Sequence, residues 1–331
     1  MPPRSSKVRV RPQHELKPKL KPQHAPKPPH EDAEFLESTP ARPLRIMAEY
    51  LQPLMQLKKE NIGDTIVMFG SARIESRETA LARYTRLKKR NTAKLGAKAG
   101  SAHRLALSSA KSALEMSRYY EEARELSHKI TSWASSLGPK PRRFVICSGG
   151  GPGIMEAANR GAHEVGAKTI GLNIQLPFEQ HPNPYITPEL SFDFHYFFMR
   201  KYWFAYLAKA LVVFPGGFGT LDEMFELLTL AQTRKLAKTI TVVIYGSDYW
   251  KHVINLELLA EKGAIAMSDL ELFKFADTPE DAFTILKAGL TEHLDSEYER
   301  MQRRLESGEG MTSAQAPGAE AILGPDIAKT R

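Results

Sequence analysis

Pro215-Gly216-Gly217-Phe218-Gly219-Thr220-Leu221-Asp222-Glu223 is the stretch of sequence that best indicates the fold. A short apolar run, Leu211 to Phe214, precedes it, and a helical pattern follows from Glu223 to Leu236. A strand that turns through glycines into a helix leaves backbone N–H groups unpaired at the helix start. Together with the positive end of the helix dipole, these donors form a site for an anion such as phosphate. The pair Asp222-Glu223 would repel that anion, so we expect it to act on another part of the ligand.

Strand-like and helical patterns alternate along the chain on both sides of this stretch. The predicted strands are 65–69, 144–147, 169–174, 191–196, 211–214 and 239–245, and the predicted helices are 119–136, 154–165, 198–208, 221–236 and 249–261. This alternation predicts an α/β fold, a Rossmann-like doubly wound parallel sheet flanked by helices in a single domain. Ligands of such sheets bind at the carboxyl ends of the strands, where the strand order reverses.

The distribution of charge separates three segments from the main domain. The net charge of +8 arises because residues 1–30 carry +7 and residues 79–114 carry +9, so the remaining residues carry −8. We expect residues 1–43 to be a disordered, basic, proline-rich tail and residues 44–306 to form the domain. Within the domain, 81–114 is predicted to be a basic insertion, helical or partly disordered, and 307–331 is predicted to be a second disordered tail.

Cysteine usage and hydropathy indicate the compartment. Cys147 is the single cysteine, and it lies in the apolar run 144–147, which favours a buried thiol in a strand over a nucleophile. We expect a cytoplasmic protein, because no disulfide can form within the chain. No stretch approaches the ~20 apolar residues of a membrane span, and no apolar segment follows the basic N-terminus as in a secretory signal.

Three glycine turns follow predicted strands and are expected at one edge of the sheet. They are Gly70-Ser71, Gly149-Gly150-Gly151-Pro152-Gly153 and Gly216-Gly217-Phe218-Gly219. Together they favour a nucleotide or sugar phosphate as ligand. None has the G-x-G-x-x-G spacing of a dinucleotide site, and no G-x-x-x-x-G-K-[ST] loop for nucleoside triphosphates is present.

Two adjacent cations, Arg200 and Lys201, begin the helix before the strand at 211–214. Their aromatic neighbours, from Phe197 to Phe204, predict a mostly buried helix. Buried cations need partners, and we expect these to be the phosphate and Glu223.

Three of these motifs are similar to those of a known family. Ser148-Gly-Gly-Gly-Pro-Gly-Ile-Met-Glu156, Met199-Arg200-Lys201 and Pro215 to Glu223 resemble the Lonely Guy (LOG) family of nucleoside 5′-monophosphate phosphoribohydrolases, long described as lysine decarboxylases. The resemblance covers roughly 65–261. It implies hydrolysis of the N-glycosidic bond of AMP or a cytokinin riboside monophosphate to free base and ribose 5-phosphate, without a cofactor, by a homodimer or higher homo-oligomer.

The resemblance also implies roles for particular residues. Arg200 and Glu223 are expected to be catalytic. The residues expected to bind substrate are Gly70, Ser71, Gly149, Gly150, Gly151, Lys201, Gly216, Gly217, Gly219 and Thr220. Phe197-Phe198-Met199 replaces the Met-His-x that precedes Arg-Lys in shorter members, and 81–114 has no counterpart in them. These two departures suggest a longer bacterial subgroup acting on AMP or other nucleotides.

The chemistry of ribosyl C–N cleavage suggests how these residues act. The transition state resembles an oxocarbenium ion, so a carboxylate is needed near the anomeric carbon together with a positioned water. We assign this task to Glu223 and expect Arg200 to keep it ionised by lowering its pKa. Asp222 and Glu226 are possible auxiliary carboxylates. No set of residues has metal-ligand spacing, and His181 and His195 are expected to be structural.

Three alternatives remain open at this point. The first is a protein of the same fold that binds a nucleotide or a phosphorylated cofactor without catalysis. The second is a pyridoxal-phosphate decarboxylase with Lys201 as the Schiff-base lysine. The third concerns 1–30 and 81–114, which could associate with nucleic acid, although aromatic residues for base stacking are few there.

Overall fold

The computed structural model describes residues 27–89, 97–138, 141–176, 181–233, 235 and 240–307. The chain divides into two compact units, 1–45 and 46–331. In the first unit, Ala33–Glu37 forms a short helix (α1), and Asp32 caps it by accepting a hydrogen bond from the N–H of Phe35 at 3.2 Å. The next helix, Arg42–Lys59 (α2), begins within the predicted tail. The prediction of disorder up to residue 43 is therefore wrong from residue 29 onward, while 1–26 and 308–331 lie outside the described residues.

Seven parallel strands form the sheet in the described part of the chain. They are β1 (Thr65–Phe69), β2 (Val145–Ser148), β3 (Ile170–Ile174), β4 (Ser191–Phe194), β5 (Ala208–Val213), β6 (Thr241–Tyr245) and β7 (Lys274–Ala276). Their order is β4-β3-β2-β1-β5-β6-β7, and every neighbouring pair is parallel. The predicted doubly wound parallel sheet is confirmed, and its order reverses between β1 and β5.

Nine further helices flank this sheet in the described residues. They are α3 (Arg77–Lys89), α4 (Ala97–Met116), α5 (Arg118–Ser135), α6 (Ile154–Glu164), α7 (Phe197–Leu207), α8 (Phe218–Gln232), α9 (Ser247–Val253), α10 (Leu256–Glu261) and α11 (Pro279–Ser307). Because side chains alternate along a strand, β1 contributes Val67 to the core under α7 and α8. Its neighbour Met68 lies in the core under α5, α6 and α11. Both faces of the sheet are therefore covered.

The helix predicted at 249–261 is two helices, because the chain breaks at Ile254 and Asn255. The side chain of Asn255 accepts a hydrogen bond from the N–H of Leu258 at 2.9 Å and caps α10. The predicted start of the helix after the glycine turn is also wrong. Helix α8 begins at Phe218, so Gly219 and Thr220 belong to its first turn and Asp222 lies beyond it.

The basic insertion is helical where the structure describes it. Helices α3 and α4 flank 90–96, which lies outside the described residues. Exposed cations are spread over both helices: Arg86, Lys88, Lys89, Arg104 and Lys111. Some of the charge is paired locally, since Arg83 contacts Glu75 at 3.1 Å and Lys111 contacts Glu115 at 3.7 Å.

Cys147 is buried in β2 with 2% of its surface exposed, and burial raises the pKa of its thiol. The prediction of a buried strand thiol is confirmed. Among the described residues, we find no helix with the length and apolar character needed to cross a bilayer.

Candidate active site

The turns that follow β1 and β5 lie side by side where the strand order reverses. Phe69, the last residue of β1, pairs with Val213, the last residue of β5. Beyond the strands, Phe214 N–H donates to the carbonyl of Phe69 at 2.8 Å, and Ser71 N–H donates to the carbonyl of Pro215 at 3.0 Å. Two of the three predicted glycine turns are thus hydrogen-bonded to each other at the edge where ligands of such sheets bind.

The third glycine turn reaches this pair through Gly153. Its φ of 72° is a conformation that glycine adopts without strain, and a Cβ at this position would lie 2.3 Å from the carbonyl oxygen of Ser71. The close approach allows Ile154 N–H, at the start of α6, to donate to the same carbonyl at 3.1 Å. We find no hydrogen bond between 149–151 and the α8 loop in the described residues, so Gly153 and Ile154 are the residues that join this turn to Ser71.

The glycine turn after β2 is held by Asn183, which sequence reasoning placed in an unassigned loop. This side chain is buried, and its amide donates to the carbonyls of Gly150 and Gly151 at 3.1 Å and to Oδ1 of Asn159 at 2.9 Å. Asn159 in turn accepts from Ser148 Oγ at 2.6 Å. A buried asparagine network fixes a loop because each amide left unpaired would cost free energy. In the sequence, the sign of this role was the presence of asparagines near a glycine turn.

The start of α8 provides backbone donors for an anion. Gly217 is its N-cap and makes no side-chain cap, and the first intrahelical hydrogen bond runs from Leu221 N–H to the Gly217 carbonyl at 3.0 Å. The N–H groups of Phe218, Gly219 and Thr220 therefore have no partner within the helix. A Cβ at Gly217 or Gly219 would meet no atom within 4 Å, so the approach to these donors is open.

Two contacts fix the conformation of this loop. The position of a Cβ on Gly216 is filled by Thr220, whose Oγ1 would lie 2.1 Å away. The hydroxyl of Tyr249 donates to the Gly216 carbonyl at 2.9 Å. Tyr249 is a site residue that the sequence did not reveal, because it lies 33 residues further along the chain.

Arg200 on α7 and Glu223 on α8 form the predicted pair. Nη2 of Arg200 donates to Oε1 of Glu223 at 3.1 Å, and both side chains are largely buried, with 14% and 7% of their surfaces exposed. The guanidinium also lies over the rings of Phe197 and Phe204, 5.3 and 5.5 Å from their centres. The structure therefore places Glu223 one and a half turns beyond the start of the same helix, where the first N–H groups have no intrahelical partner.

Arg200 lowers the pKa of Glu223 as predicted, but the expectation that this keeps the pKa of Glu223 low is wrong. Burial raises the pKa of Glu223 to about 7, and this outweighs the opposing effects of Arg200 and Lys201. The carboxylates of Glu226 and Asp222 raise it further. Desolvation of a carboxylate exceeds the attraction of one cation that makes a single 3.1 Å contact. Glu223 is consequently poised to take up or release a proton near neutral pH.

Lys201 contacts the two auxiliary carboxylates predicted on α8. Its Nζ lies 2.8 Å from Oδ2 of Asp222 and 2.8 Å from Oε2 of Glu226. Burial opposes its charge, but these two hydrogen bonds prevail and raise the pKa of Lys201. Asp222 is 57% exposed and Glu226 is 34% exposed. Both carboxylates therefore lie at the rim rather than in the interior.

The prediction that the helix at 197–204 is mostly buried holds for one of its faces. Met199, Trp203 and Phe204 are buried, whereas Phe197 and Phe198 are 51% and 48% exposed. The exposed rings begin α7 beside Arg200, at the same edge of the sheet as the glycine turns. The site therefore has an apolar border on the α7 side.

Comparison with known proteins finds partial matches to one family. The model of a family described as "Possible lysine decarboxylase" matches residues 155–286, which include Arg200, Lys201 and Glu223. A probable cytokinin riboside 5′-monophosphate phosphoribohydrolase, LOG6 of Arabidopsis thaliana, is 25% identical over 151 residues, which are 45% of this chain and 74% of that protein. The cytokinin riboside 5′-monophosphate phosphoribohydrolase LOG3 of the same plant is 25% identical over 167 residues, 50% of this chain and 73% of that protein. Over this part of its length, the chain is similar to members of the LOG family.

The glycine turn after β1 lies before the part matched by the LOG family model, and the turn after β5 lies within it. Among solved structures, a molybdenum cofactor (Moco) carrier protein from Chlamydomonas reinhardtii is 18% identical to this chain with a TM-score of 0.39. The alignment covers 69% of this chain and 98% of that protein.

Proposed function

We propose that this protein hydrolyses the N-glycosidic bond of a nucleoside 5′-monophosphate, releasing the free base and ribose 5-phosphate. The observation that carries the proposal is the position of the Arg200–Glu223 pair. Arg200 on α7 contacts Glu223, which lies on α8, the helix whose free N–H groups at 218–220 are suited to a phosphate. A 5′-phosphate held there leaves the ribose to extend toward Glu223. The names of the plant relatives support the same reaction at 25% identity.

The reaction then follows from the charges in the site. As the C1′–N bond breaks, its electron pair leaves with the base and positive charge develops on the ribose. The ionised form of Glu223 stabilises that charge and accepts a proton from the attacking water, whose oxygen bonds to C1′. The departing base takes up one proton, which balances the hydrolysis. Arg200 holds the carboxylate in place and adds a cation beside the phosphate.

We propose AMP as the first substrate to test, with a cytokinin riboside monophosphate as its competitor. The half-exposed rings of Phe197 and Phe198 beside Arg200 offer a face on which a purine can stack. Stacking on a ring discriminates weakly between bases. We therefore expect more than one monophosphate to be cleaved.

A product screen tests this function. Purified protein is incubated with AMP, GMP, CMP, UMP and an N6-prenylated AMP, and free base is measured by chromatography. We expect base release that falls by roughly 10²- to 10⁴-fold in Glu223→Gln and in Arg200→Ala. Glu299→Gln and Arg303→Ala, which change a pair exposed at 64% and 74% on α11, are matched controls and should retain full activity.

The same screen separates hydrolysis from binding alone. Undiminished base release by Glu223→Gln would remove the proposed mechanism. No free base from any monophosphate, with binding still detected by calorimetry, would replace hydrolysis by a nucleotide-binding role. An absorbance band of an internal aldimine, lost in Lys201→Met, would favour the pyridoxal-phosphate alternative.

We also propose that the protein is a homo-oligomer. Helix α2 exposes an apolar stripe, with Met47, Leu51 and Met55 at 49%, 52% and 64% exposure, on the side opposite its buried residue Leu57. An apolar stripe of this spacing is typical of helices that pair. Light scattering should give at least twice the chain mass of 37.1 kDa. It should give a smaller species for Leu51→Glu, and a monomeric wild type contradicts the proposal.

The compartment we propose is the cytoplasm. A single, buried cysteine without a disulfide partner suits a reducing environment. Fractionation of the source cells should recover the protein with cytoplasmic markers, and recovery with secreted proteins contradicts this assignment.

A further inference from the structure

The two adjacent cations of α7 contact α8 in different ways. Arg200 makes one contact, with the buried Glu223, whereas Lys201 bridges two carboxylates on the flanking positions, Asp222 and Glu226. Residues four apart on a helix lie on one face, so Lys201 spans about one turn of α8. Three carboxylates of α8 therefore depend on two neighbouring cations of α7.

The contacts of Lys201 leave little of it for a substrate. An ammonium group has three donors, and two carboxylate oxygens already lie 2.8 Å from this one. Its side chain is 19% exposed. A phosphate would have to displace a charge-assisted hydrogen bond to reach it. Backbone N–H groups at 218–220 require no such displacement. The geometry thus argues against the substrate-binding role that the sequence suggested for Lys201.

Lys201 instead affects the environment of Glu223. The titratable groups that act on Glu223 are Arg200 and Lys201 from α7, and Asp222 and Glu226 from its own helix. The two cations favour the ionised form of Glu223, and the two carboxylates oppose it. Loss of the charge on Lys201 would leave Asp222 and Glu226 uncompensated beside Glu223. It would also remove two of the three ion pairs that the described residues form between α7 and α8.

We propose that Lys201 is a positioning residue, which holds α8 against α7 so that Glu223 stays aligned with Arg200, without touching the substrate. This inference rests on the proposed hydrolysis. It assigns Asp222 and Glu226 as anchors for Lys201 rather than as reserve catalytic carboxylates. A displacement of about 1 Å at a reacting group can cost about 100-fold in rate. A clamp of this kind is therefore expected to affect turnover more than substrate affinity.

The test compares Lys201→Met, which keeps length without charge, with Lys201→Arg. Lys201→Met should lower kcat by about 10- to 100-fold with KM changed by less than about threefold, and its acidic pH limb should move to higher pH. Lys201→Arg should recover most of kcat. Lys262→Met, at an exposed lysine after α10, is the matched control and should leave both constants unchanged.

A triple variant tests the role of the two anchors. Replacing Lys201, Asp222 and Glu226 together by Met, Asn and Gln removes the repulsion along with the cation, so its acidic limb should return toward that of the wild type. A large rise in KM with kcat intact in Lys201→Met would overturn the proposal in favour of substrate binding. Kinetic constants equal to those of the wild type would overturn it as well.

A readout independent of catalysis distinguishes failure of this inference from failure of the proposed function. The carboxyl carbon of Glu223 can be titrated by NMR in the wild type and in Lys201→Met without substrate. We expect its midpoint to move upward when the cation is lost. An unchanged midpoint contradicts the positioning role. If the midpoint rises but the protein releases no base, the positioning role of Lys201 stands and only the proposed hydrolysis is refuted.

Discussion

Two buried carboxylates lie at opposite edges of the sheet and differ in how they are paired. At the amino edge, Asp64 precedes β1 and is 3% exposed, with Arg143 Nε at 2.7 Å from one oxygen and the N–H of Phe144 at 2.6 Å from the other. At the carboxyl edge, Glu223 is 7% exposed and accepts one hydrogen bond, from Arg200 at 3.1 Å, among the described residues. Burial raises the pKa of both carboxyls.

The difference shows which carboxylate is structural. Asp64 has a hydrogen-bond donor on one oxygen and the Arg143 cation against the other, and the donor Phe144 has a φ of 55°, a strained conformation for a non-glycine residue. Its cation is also shared, since Arg143 contacts Glu297 on α11 at 2.8 Å. Asp64 therefore joins β1, β2 and α11. Glu223 has the burial of a structural carboxylate without its full set of donors, which leaves an oxygen for a ligand.

The sharpest test of this comparison is stability. Asp64→Ala should lower the free energy of unfolding by about 3–5 kcal/mol, because it leaves buried donors and part of a charge network without a partner. Glu223→Gln should not destabilise the protein at pH 8. Urea unfolding of both variants measures the two values. Equal losses of unfolding free energy in the two variants would contradict the distinction between a structural Asp64 and a functional Glu223.

The pH dependence of stability should follow Glu223. Its folded pKa of about 7 exceeds the ordinary value of 4.5, so the folded state holds a proton that the unfolded state releases between these values. This contribution to stability is complete below pH 4.5 and is lost as the pH rises through 7. At about 1.4 kcal/mol per tenfold change in proton affinity, the loss amounts to roughly 3 kcal/mol. Unfolding of the wild type and Glu223→Gln from pH 4 to pH 8 should diverge accordingly, while Glu299→Gln shows no such divergence.

Two glycines of the candidate site should differ in how much their replacement by alanine changes the stability of the protein. Gly153→Ala places a Cβ against the Ser71 carbonyl at a φ of 72° and should cost about 1–3 kcal/mol of unfolding free energy. Gly217→Ala meets open space and should change stability by less than about 0.5 kcal/mol, while raising KM for the monophosphate. Denaturant unfolding and steady-state kinetics check both. A stable Gly153→Ala would show that the close packing of the turns is dispensable.

The smallest effect is expected at the basic helices α3 and α4. The combined change Arg86→Gln, Lys88→Gln and Lys89→Gln should leave stability within about 0.5 kcal/mol, since all three are exposed. If this face associates with single-stranded RNA, the variant should lower the slope of log affinity against log salt by about 2. Identical slopes would identify the face as solvated surface with no nucleic-acid role.

The alternation of strands and helices made the sheet and its class predictable, because buried parallel strands are short apolar runs between helical patterns. The three-residue strand β7 is too short to produce such a run, and the predicted pattern stopped before α11. The disorder predicted for 29–43 failed because prolines are compatible with the first turns of helices. Pro40 and Pro43 occupy such positions.

The Arg200–Glu223 pair was predictable because both residues belong to local motifs. The raised pKa of Glu223 was not predictable, because it depends on how deeply the carboxylate is buried after folding. The ion pairs of Lys201 were not predictable for a related reason. Its two partners lie 21 and 25 residues further along the chain, and their register on α8 is set by where that helix begins. Asn183 acts through hydrogen bonds of its side-chain amide, and Tyr249 acts through one hydrogen bond of its hydroxyl. No sequence spacing predicts these contacts.

The central position of β1 has a consequence for synthesis of the protein. Thr65 pairs with Ala208, 143 residues later in the chain. At roughly 5–20 residues per second, β1 waits about 7–30 s on the ribosome before that neighbour exists. During this interval the backbone groups on one side of β1 have no native partner, which leaves that side open to mispairing. The turns beside β1 and β5 also cannot meet earlier, so a nascent chain remains inactive until most of its length has been made.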